Sequence, residues 1–275
     1  MKQNKKRILW FLNRAGLIVA CTIVFIPFIW MVATSLKPDN EITNGSWIGS
    51  QLQFENYSRA VEFFPFWQYL FNSLLVTLLG TLGVLVTSSL SAYAFSRLRF
   101  RGRESMFAGY LATLMVPQQV VVVPMFLLMR ELGWSDSYVA LIIPFAFTAF
   151  GTFLLRQNYL TIPYEVDEAA IIDGCNHFQV YWRILLPMIK PGLATLAVFT
   201  FITYWNNFLW PLIILNDQSL YTLPIGLQAF HGQYSTAWNL LMAGATMTTI
   251  PSFIFYLFAQ RFIADGIATS GLGGR

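Results

Sequence analysis

The chain has 275 residues, of which 56% are hydrophobic, 17% aromatic and only 11% charged, and its net charge is +4. A soluble domain carries roughly 25% charged residues, so this composition argues against a soluble protein and indicates an integral membrane protein. The two cysteines, Cys21 and Cys175, fall in a hydrophobic stretch and in a polar block, a placement that argues against a disulfide and offers no metal-ligand spacing.

Six stretches of the chain are long and apolar enough to cross a bilayer as a helix, which takes about 20 residues. They are residues 15–36, 69–95, 105–128, 138–160, 191–215 and 238–263. The basic, then apolar N-terminus is similar to a signal peptide, but no small-residue cleavage site follows it, so the first stretch is predicted to remain as a helix. The sequence therefore predicts an all-α membrane protein with one six-helix domain, residues 15–263, between short segments 1–14 and 264–275.

Lysine and arginine residues indicate the orientation, because short cytoplasmic loops carry an excess of them. Only Lys37, Arg59 and Arg130 fall on one predicted side. The other fourteen fall on the opposite side: Lys2, Lys5, Lys6, Arg7, Arg14, Arg97, Arg99, Arg101, Arg103, Arg156, Arg183, Lys190, Arg261 and Arg275. This asymmetry predicts that both termini and the polar loop 161–190 are cytoplasmic.

The polar loop 161–190 interrupts the hydrophobic pattern between the fourth and fifth stretches. Four carboxylates fall within nine residues: Glu165, Asp167, Glu168 and Asp173. The first three would complement the positive N-terminus of a helix. Helical spacing predicts one face of short side chains, Val166, Ala169, Ala170 and Asp173, and Gly174 follows where the helix should end. Either this helix lies on the inner membrane surface or it fits a socket on another protein. Its acidity suits an anionic leaflet poorly, which favours the socket.

Motifs for catalysis are not visible in the sequence. It contains no phosphate-binding Gly-Lys-Ser/Thr loop, so we expect no ATP hydrolysis by this chain itself. Its two histidines, His177 and His231, fall on opposite predicted sides. The six stretches hold no carboxylate, which disfavours a secondary carrier with an acidic proton relay. A membrane-bound enzyme is disfavoured for lack of a catalytic constellation.

The polar loop resembles the EAA loop of ABC importer permeases. The matching residues are Glu168, Ala169, Ala170, Gly174, Ile184, Leu186 and Pro187. Residues 91–100, with the sequence SAYAFSRLRF, are similar to a signature of carbohydrate-type permeases, and residues 205–211, 223–227 and 242–245 match further along the chain. The whole chain is most similar to the six-helix second permease of sugar importers such as the maltose and glycerol-3-phosphate systems.

This resemblance implies a set of partners and a location. A second permease would complete a heterodimer, and two cytoplasmic ATPases would bind ATP and Mg, so that this chain itself carries no cofactor. An extracytoplasmic solute-binding protein would deliver the solute, and no nucleic acid is implied. The location implied is the prokaryotic cytoplasmic membrane. The substrate class implied is carbohydrate, with a sugar phosphate or another small polar solute as the alternative, although no basic residue near the middle of a span favours an anion.

The resemblance also implies roles for particular residues. Residues 164–177 would form a coupling helix docked on an ATPase, and residues 178–191 would form an arm carrying its movement into the fifth span. The ATPase-coupling residues would be Glu168, Ala169, Ala170, Asp173, Gly174, Leu186 and Pro187.

Two further groups of residues are candidates for contacts outside the coupling loop. Amides and aromatic rings on the fifth span suit a neutral sugar, although packing between spans is the alternative reading: Tyr204, Trp205, Asn206, Asn207 and Trp210. Residues of the external loop 216–237 would meet the binding protein, with a plain connector as the alternative: Gly226, Gln228, His231, Gly232 and Gln233. At position 207 relatives often carry Glu, and the tail 266–275 departs from the pattern of relatives.

Overall fold

A computed structural model of the chain describes residues 2–42, 44–232 and 236–270, and the side chains of residues 10, 13–42, 44–232 and 236–261. Helices dominate this described part of the chain. In order they are α1 (Lys2–Ser35), α2 (Glu55–Glu62), α3 (Phe66–Arg97), α4 (Arg103–Ala112), α5 (Gln118–Glu131), α6 (Tyr138–Ile142), α7 (Ala149–Leu160), α8 (Glu165–Ile172), α9 (His177–Gln179), α10 (Leu186–Met188), α11 (Lys190–Trp205), α12 (Leu209–Ile214), α13 (Leu223–Gly226) and α14 (Trp238–Ser270).

Shorter turns of other helix types connect these elements. The 3₁₀ helices are Asp39–Glu41, Thr113–Met115, Ile143–Phe145, Gln218–Leu220 and Leu227–Phe230, and Val180–Leu185 is a π-helix between α9 and α10. The chain forms two compact units. Unit 1 comprises residues 1–66 and 227–250, and unit 2 comprises residues 67–226 and 251–275.

Three helical stretches are long and apolar enough to span a membrane. They are Asn13–Ser35, Phe66–Arg97 and Trp238–Arg261. Three further helix pairs pass the same test together but are bent: Arg103–Met115 with Gln118–Glu131 by 101°, Tyr138–Phe145 with Ala149–Leu160 by 45°, and His177–Met188 with Lys190–Trp205 by 77°. The described residues thus provide three clear spans, or up to six if each bent pair is one span.

A proline explains the sharpest of these bends, within the predicted span 105–128. Val116 has φ −87° and ψ 115°, the extended conformation that a following proline favours, and Pro117 continues with φ −61° and ψ 135°. The helix therefore stops after Met115 and restarts at Gln118.

The stretch predicted as the fifth span, 191–215, is also divided. Helix α11 ends at Trp205, and α12 starts at Leu209. Pro211 lies in the first turn of α12, where its missing N–H removes no intrahelical bond. In a continuous helix its ring would clash with the carbonyl of Asn207. The number of apolar residues predicted one continuous helix here, whereas the structure has two helices with the proline at the start of the second.

Unit 2 is held together by close helix contacts at small residues. A Cβ placed on Gly192 of α11 would lie 2.6 Å from Cγ of Asn158 on α7, and one on Gly80 of α3 would overlap the ring of Tyr204. Such close approach is typical of helices in lipid, where association depends on van der Waals contact. The interior of the unit includes the completely buried Leu155, Tyr159, Leu185, Leu196 and Ile214.

Unit 1 is organised around the buried amide of Asn56. Its Nδ2 donates to the carbonyls of Ser35 and Lys37, both at 2.9 Å, and its Oδ1 accepts from Asn239 at 3.3 Å. The Tyr57 hydroxyl lies 2.8 Å from Oγ of Ser35. The end of α1 with the residues just after it and the start of α2 are therefore partners in one structural contact.

Candidate functional site

Helix α8 of the polar loop starts at its carboxylates and ends before Gly174, as these residues predict. It is shorter than the helix over residues 164–177 that the resemblance implies, because it stops at Ile172 and a separate helix starts at His177. Glu165, Asp167 and Glu168 occupy the first turn, where carboxylates stabilise the positive end of the helix. At its other end Gly174 has φ +87°. The N–H of Gly174 donates to the carbonyl of Ile171, and the N–H of Cys175 donates to that of Ala170, each at 3.0 Å. This pair of bonds is the Schellman motif, which favours glycine at the left-handed position.

The outward face of α8 differs from the predicted face of short side chains. Ala170 is 4% exposed and packs, with Val166, into the core of unit 2. Five exposed residues follow the i, i+3, i+4, i+7 and i+8 spacing of a single helical stripe: Glu165, Glu168, Ala169, Ile172 and Asp173. Ile171, which is 48% exposed, lies beside this stripe. The predicted face was therefore half wrong, because Val166 and Ala170 cover the chain's own core. The free face is acidic and includes Ile172, which is 85% exposed.

Arg97, the last residue of α3, anchors α8 to the rest of unit 2. Its side chain is 2% exposed, and Nη2 donates to the carbonyls of Tyr159 at 2.9 Å and Ile162 at 2.8 Å. These carbonyls lie at the C-terminal end of α7, where helical carbonyls lack intrahelical partners. Nε of Arg97 lies 3.5 Å from Oδ2 of Asp167 on α8, and the guanidinium lies 4.5 Å from the ring centre of Tyr164. One buried cation thus joins α3, α7 and α8.

The Arg97–Asp167 pair is incompletely satisfied. Among the described residues, Nε and Nη1 of Arg97 and Oδ2 of Asp167 are buried without a hydrogen-bond partner. Burial raises the pKa of the Asp167 carboxyl, and the neighbouring Arg97 offsets this effect only in part. A buried ion pair is costly to break on one side, because the remaining charge is left uncompensated.

The segment after α8 is fastened to the same end of α3. The Asn176 side chain caps α9 by accepting from the N–H of Gln179 at 2.9 Å, and the Gln179 side chain accepts in return from the N–H of Asn176 at 2.8 Å. Tyr181 lies 2.8 Å from Oγ of Ser89 through its hydroxyl, and the hydroxyl of Tyr93 donates to the His177 carbonyl at 3.1 Å. Leu186 and Pro187 are the last two residues that match the EAA loop. Leu186 is half-buried and Pro187 is exposed.

An open polar cavity of about 770 Å³ lies beside α8. Its lining brings together the C-terminal end of α3, the start of α4 and the exposed Glu168: Arg97, Arg99, Phe100, Gly102, Arg103, Glu104, Ser105, Tyr164 and Glu168. Arg156 donates two bonds of 3.0 Å to Glu104, and Arg103 lies 2.9 Å from it. The exposed face of α8 therefore borders a charged concave surface.

The substrate-pathway candidates separate into buried and accessible residues. Tyr204, Trp205 and Trp210 are 8%, 2% and 1% exposed. The Tyr204 hydroxyl donates to the carbonyl of Ile142 at 3.1 Å, and Nε1 of Trp210 donates to that of Ala140 at 2.9 Å. For these three aromatic residues the structure supports the alternative reading, packing between helices.

The two asparagines differ from those aromatic residues. Asn206 is exposed beyond the end of α11, where its Nδ2 donates to the carbonyl of Ile202 at 3.0 Å. Asn207 is half-buried and borders a void of about 10 Å³ together with Ser73, Thr77 and Thr222. The structure does not bring the five candidates to one surface.

The candidates for binding-protein contact are also divided. Gly226 is buried at the end of α13, whereas Gln228, His231 and Gly232 are exposed in unit 1. Nδ1 of His231 lies 3.1 Å from Oγ1 of Thr236. Gln233 lies outside the described residues, as do positions 271–275 of the tail.

Sequence reasoning missed Arg97, Asp167 and Tyr164 as parts of the site. Arg97 contributed to the charge count and to the resemblance of residues 91–100, and Asp167 was interpreted as one of several helix-start carboxylates. A signal was present, since Arg97 ends an apolar stretch within the SAYAFSRLRF segment. Within the described ranges, no group of three or more His, Cys, Asp or Glu side chains could hold a metal ion.

Comparison with known proteins identifies the family. Residues 6–268 match the family described as binding-protein-dependent transport system inner membrane component. The arabinooligosaccharides transport system permease protein of Halalkalibacterium halodurans is 32% identical, with both chains covered completely. The trehalose/maltose transport system permease protein of Thermococcus litoralis is 33% identical over 98% of each chain.

A solved structure supports the same assignment. The crystal structure of a bacterial ABC transporter involved in the import of the acidic polysaccharide alginate matches with a TM-score of 0.82 and 26% identity, covering 93% of this chain and 96% of that chain. The family match, the full-length relatives and this structural likeness all agree. The chain therefore belongs to the family of inner membrane components of binding-protein-dependent transport systems.

Proposed function

We propose that this chain is one of two permease subunits of an ABC importer that takes up carbohydrates. The observation that carries the proposal is the full-length similarity to transport permeases named for arabinooligosaccharides and for trehalose and maltose. The alginate transporter adds a polysaccharide to these substrates.

The chain crosses the membrane six times, with both termini in the cytoplasm. The asymmetry of lysine and arginine supports this orientation. Helix α8 then lies in the cytoplasm between the fourth and fifth crossings. A second permease completes the pathway, and a solute-binding protein meets the outer side.

ATP and Mg are bound and hydrolysed by two separate cytoplasmic subunits, and this chain carries no cofactor. Helix α8 is the coupling helix that docks on one of them. The two faces of α8 support this role. Val166 and Ala170 pack into the core, whereas Glu168 and Ile172 are exposed. When the ATPases close and open, α8 moves with them, and the bundle alternates between inward-open and outward-open states.

The test is reconstitution of the complete transporter in liposomes. The chain is purified with the products of neighbouring genes, and ATP hydrolysis is measured with a panel of oligosaccharides, sugar phosphates and amino acids. We expect stimulation by a neutral oligosaccharide with its binding protein. Stimulation only by a non-carbohydrate solute would overturn the substrate class, and copurification without any ATPase would overturn the permease assignment.

A further inference from the structure

Helix α3 carries two sets of side-chain contacts, one near each end. At its inner end, four residues contact α8 or the segment after it: Ser89, Tyr93, Ser96 and Arg97. Ser89 lies 2.8 Å from the Tyr181 hydroxyl, and the carbonyl of Ser96 accepts from the Tyr164 hydroxyl at 2.9 Å. Positions 89, 93, 96 and 97 follow the i, i+4, i+7 and i+8 spacing of one helical face. A single stripe of α3 therefore contacts the polar loop at points from Tyr164 to Tyr181.

At its outer end, α3 holds the segment that precedes Gly226. Asn72 is 2% exposed, and its Nδ2 donates to the carbonyls of Ser219 at 2.8 Å and Tyr221 at 2.9 Å. Its Oδ1 accepts from the Tyr138 hydroxyl at 2.7 Å. The N–H of Leu223 donates to Oγ of Ser73 at 2.8 Å. The side-chain NH₂ of Asn72 and the hydroxyl of Ser73 thus join α3 to residues 219–223.

The helix between these two sets of contacts is continuous. Helix α3 extends over 32 residues, and its sequence has no proline. At 1.5 Å per residue, Asn72 and Arg97 are roughly 38 Å apart along the helix axis. This distance is longer than the roughly 30 Å hydrocarbon core of a bilayer and close to its full thickness of roughly 40 Å. The alternative route from the polar loop, into α11, passes through a bend of 77°. A straight helix transmits a displacement of one end to the other more directly than a bent pair.

We propose that α3 is the rod that links the coupling helix to the outer segment 219–223, with Arg97 and Asn72 as its positioning residues. This inference rests on the proposed function. Displacement of α8 by an ATPase passes through Asp167, Tyr164 and Tyr181 to the inner end of α3, and from there to residues 219–223. By reciprocity, a binding protein that shifts the outer segment changes the energy of docking at α8. The sequence had instead assigned this movement to the fifth span.

The test measures how strongly the solute-loaded binding protein stimulates ATP hydrolysis by the complete transporter. We expect Asp167→Asn, at the inner contact, and Asn72→Ala, at the outer contact, each to reduce the fold-stimulation about fivefold or more, the size of a typical coupling between sites. Ser73→Ala removes only the hydrogen bond from the N–H of Leu223. It replaces Asn72→Ala as the outer variant if Asn72→Ala fails to fold. The fold-stimulation of the double variant should be no lower than that of the more impaired single variant, because both changes interrupt one path.

Thr195→Ala on α11 is the matched control, since the Thr195 hydroxyl bonds only within its own helix, to the Pro191 carbonyl at 2.9 Å. It should retain full stimulation. Normal stimulation in both Asp167→Asn and Ser73→Ala would contradict the proposed role of α3. Loss of the ATPases from the purified Asp167→Asn transporter would also contradict it, because Asp167 would then be a docking residue. If the unaltered transporter itself is not stimulated by any loaded binding protein, the proposed function fails instead.

Discussion

At the scale of single residues, the main finding is that neighbouring carboxylates of α8 face in different directions. Asp167 points inward to Arg97, with a side chain 14% exposed, whereas Glu168 is exposed on the outward face. Neighbouring residues of the same charge therefore have different roles, because consecutive helical positions are about 100° apart.

Glu168→Lys should leave the amount of protein in the membrane unchanged, because the side chain is exposed, but should abolish solute uptake by reversing the charge offered to the ATPase. Uptake of radiolabelled sugar and ATP hydrolysis are measured in the same vesicles. Glu55→Lys, a charge reversal at an exposed acid of unit 1, is the control and should transport normally. Normal uptake by Glu168→Lys would contradict the docking role.

Gly174→Ala should destabilise the end of α8, because an alanine in the left-handed region costs roughly 1–2 kcal/mol. We expect a lower thermal midpoint of the detergent-solubilised protein. Gly16→Ala is the matched control, since Gly16 lies within α1 at ordinary helical angles with nothing within 4 Å of the added Cβ. Equal midpoints for both variants would show that the positive φ at Gly174 carries no cost.

At the scale of elements, the broken spans matter most. Two of the breaks have a local cause, Pro117 between α4 and α5 and Pro211 in the first turn of α12. Aromatic side chains then fasten the fragments together. Phe145 meets the rings of Tyr204 and Trp210 edge-on, with centroid distances of 6.5 Å and 5.9 Å. The short helices α6 and α12 thereby form one packed group with the end of α11.

Tyr204→Phe should lower stability by roughly 0.6 kcal/mol, the average value of a hydrogen bond between membrane helices, and should leave the apparent affinity for the sugar unchanged. Thermal unfolding and the concentration dependence of uptake are measured together. Asn206→Ala, at an exposed position, is compared in the same assays. A large change in sugar affinity for Tyr204→Phe, with normal stability, would return Tyr204 to the substrate pathway.

At the scale of the whole molecule, the orientation in the membrane can be tested directly. Single cysteines are introduced at Ile172 and at Gln228 in a chain whose Cys21 and Cys175 are replaced by serine. Both sites are exposed. In intact cells a membrane-impermeant thiol reagent should label the cysteine at position 228 and spare that at position 172. Labelling of position 172 from outside would reverse the proposed topology.

Several features were predictable from the sequence alone, because they depend on composition or on a few adjacent residues. The shortage of charge and the apolar stretches indicated a membrane protein, and the EAA-like spacing indicated the family that the comparisons confirm. Gly174 marked the end of α8, because a left-handed turn favours glycine wherever it occurs.

Only the tertiary structure decided which face of each helix is free. Helical periodicity groups Val166, Ala169, Ala170 and Asp173, but it does not show that the core of unit 2 covers two of them. Likewise, the residue types of Tyr204 and Trp210 suit contact with a sugar. In the structure both side chains are buried and donate hydrogen bonds to the carbonyls of Ile142 and Ala140. The roles of Arg97 and Asn72 depend on partners 62 to 149 residues away in the chain. The physical reason is that local propensity acts over a few neighbours, whereas burial and buried hydrogen bonds depend on which distant segments the fold brings together.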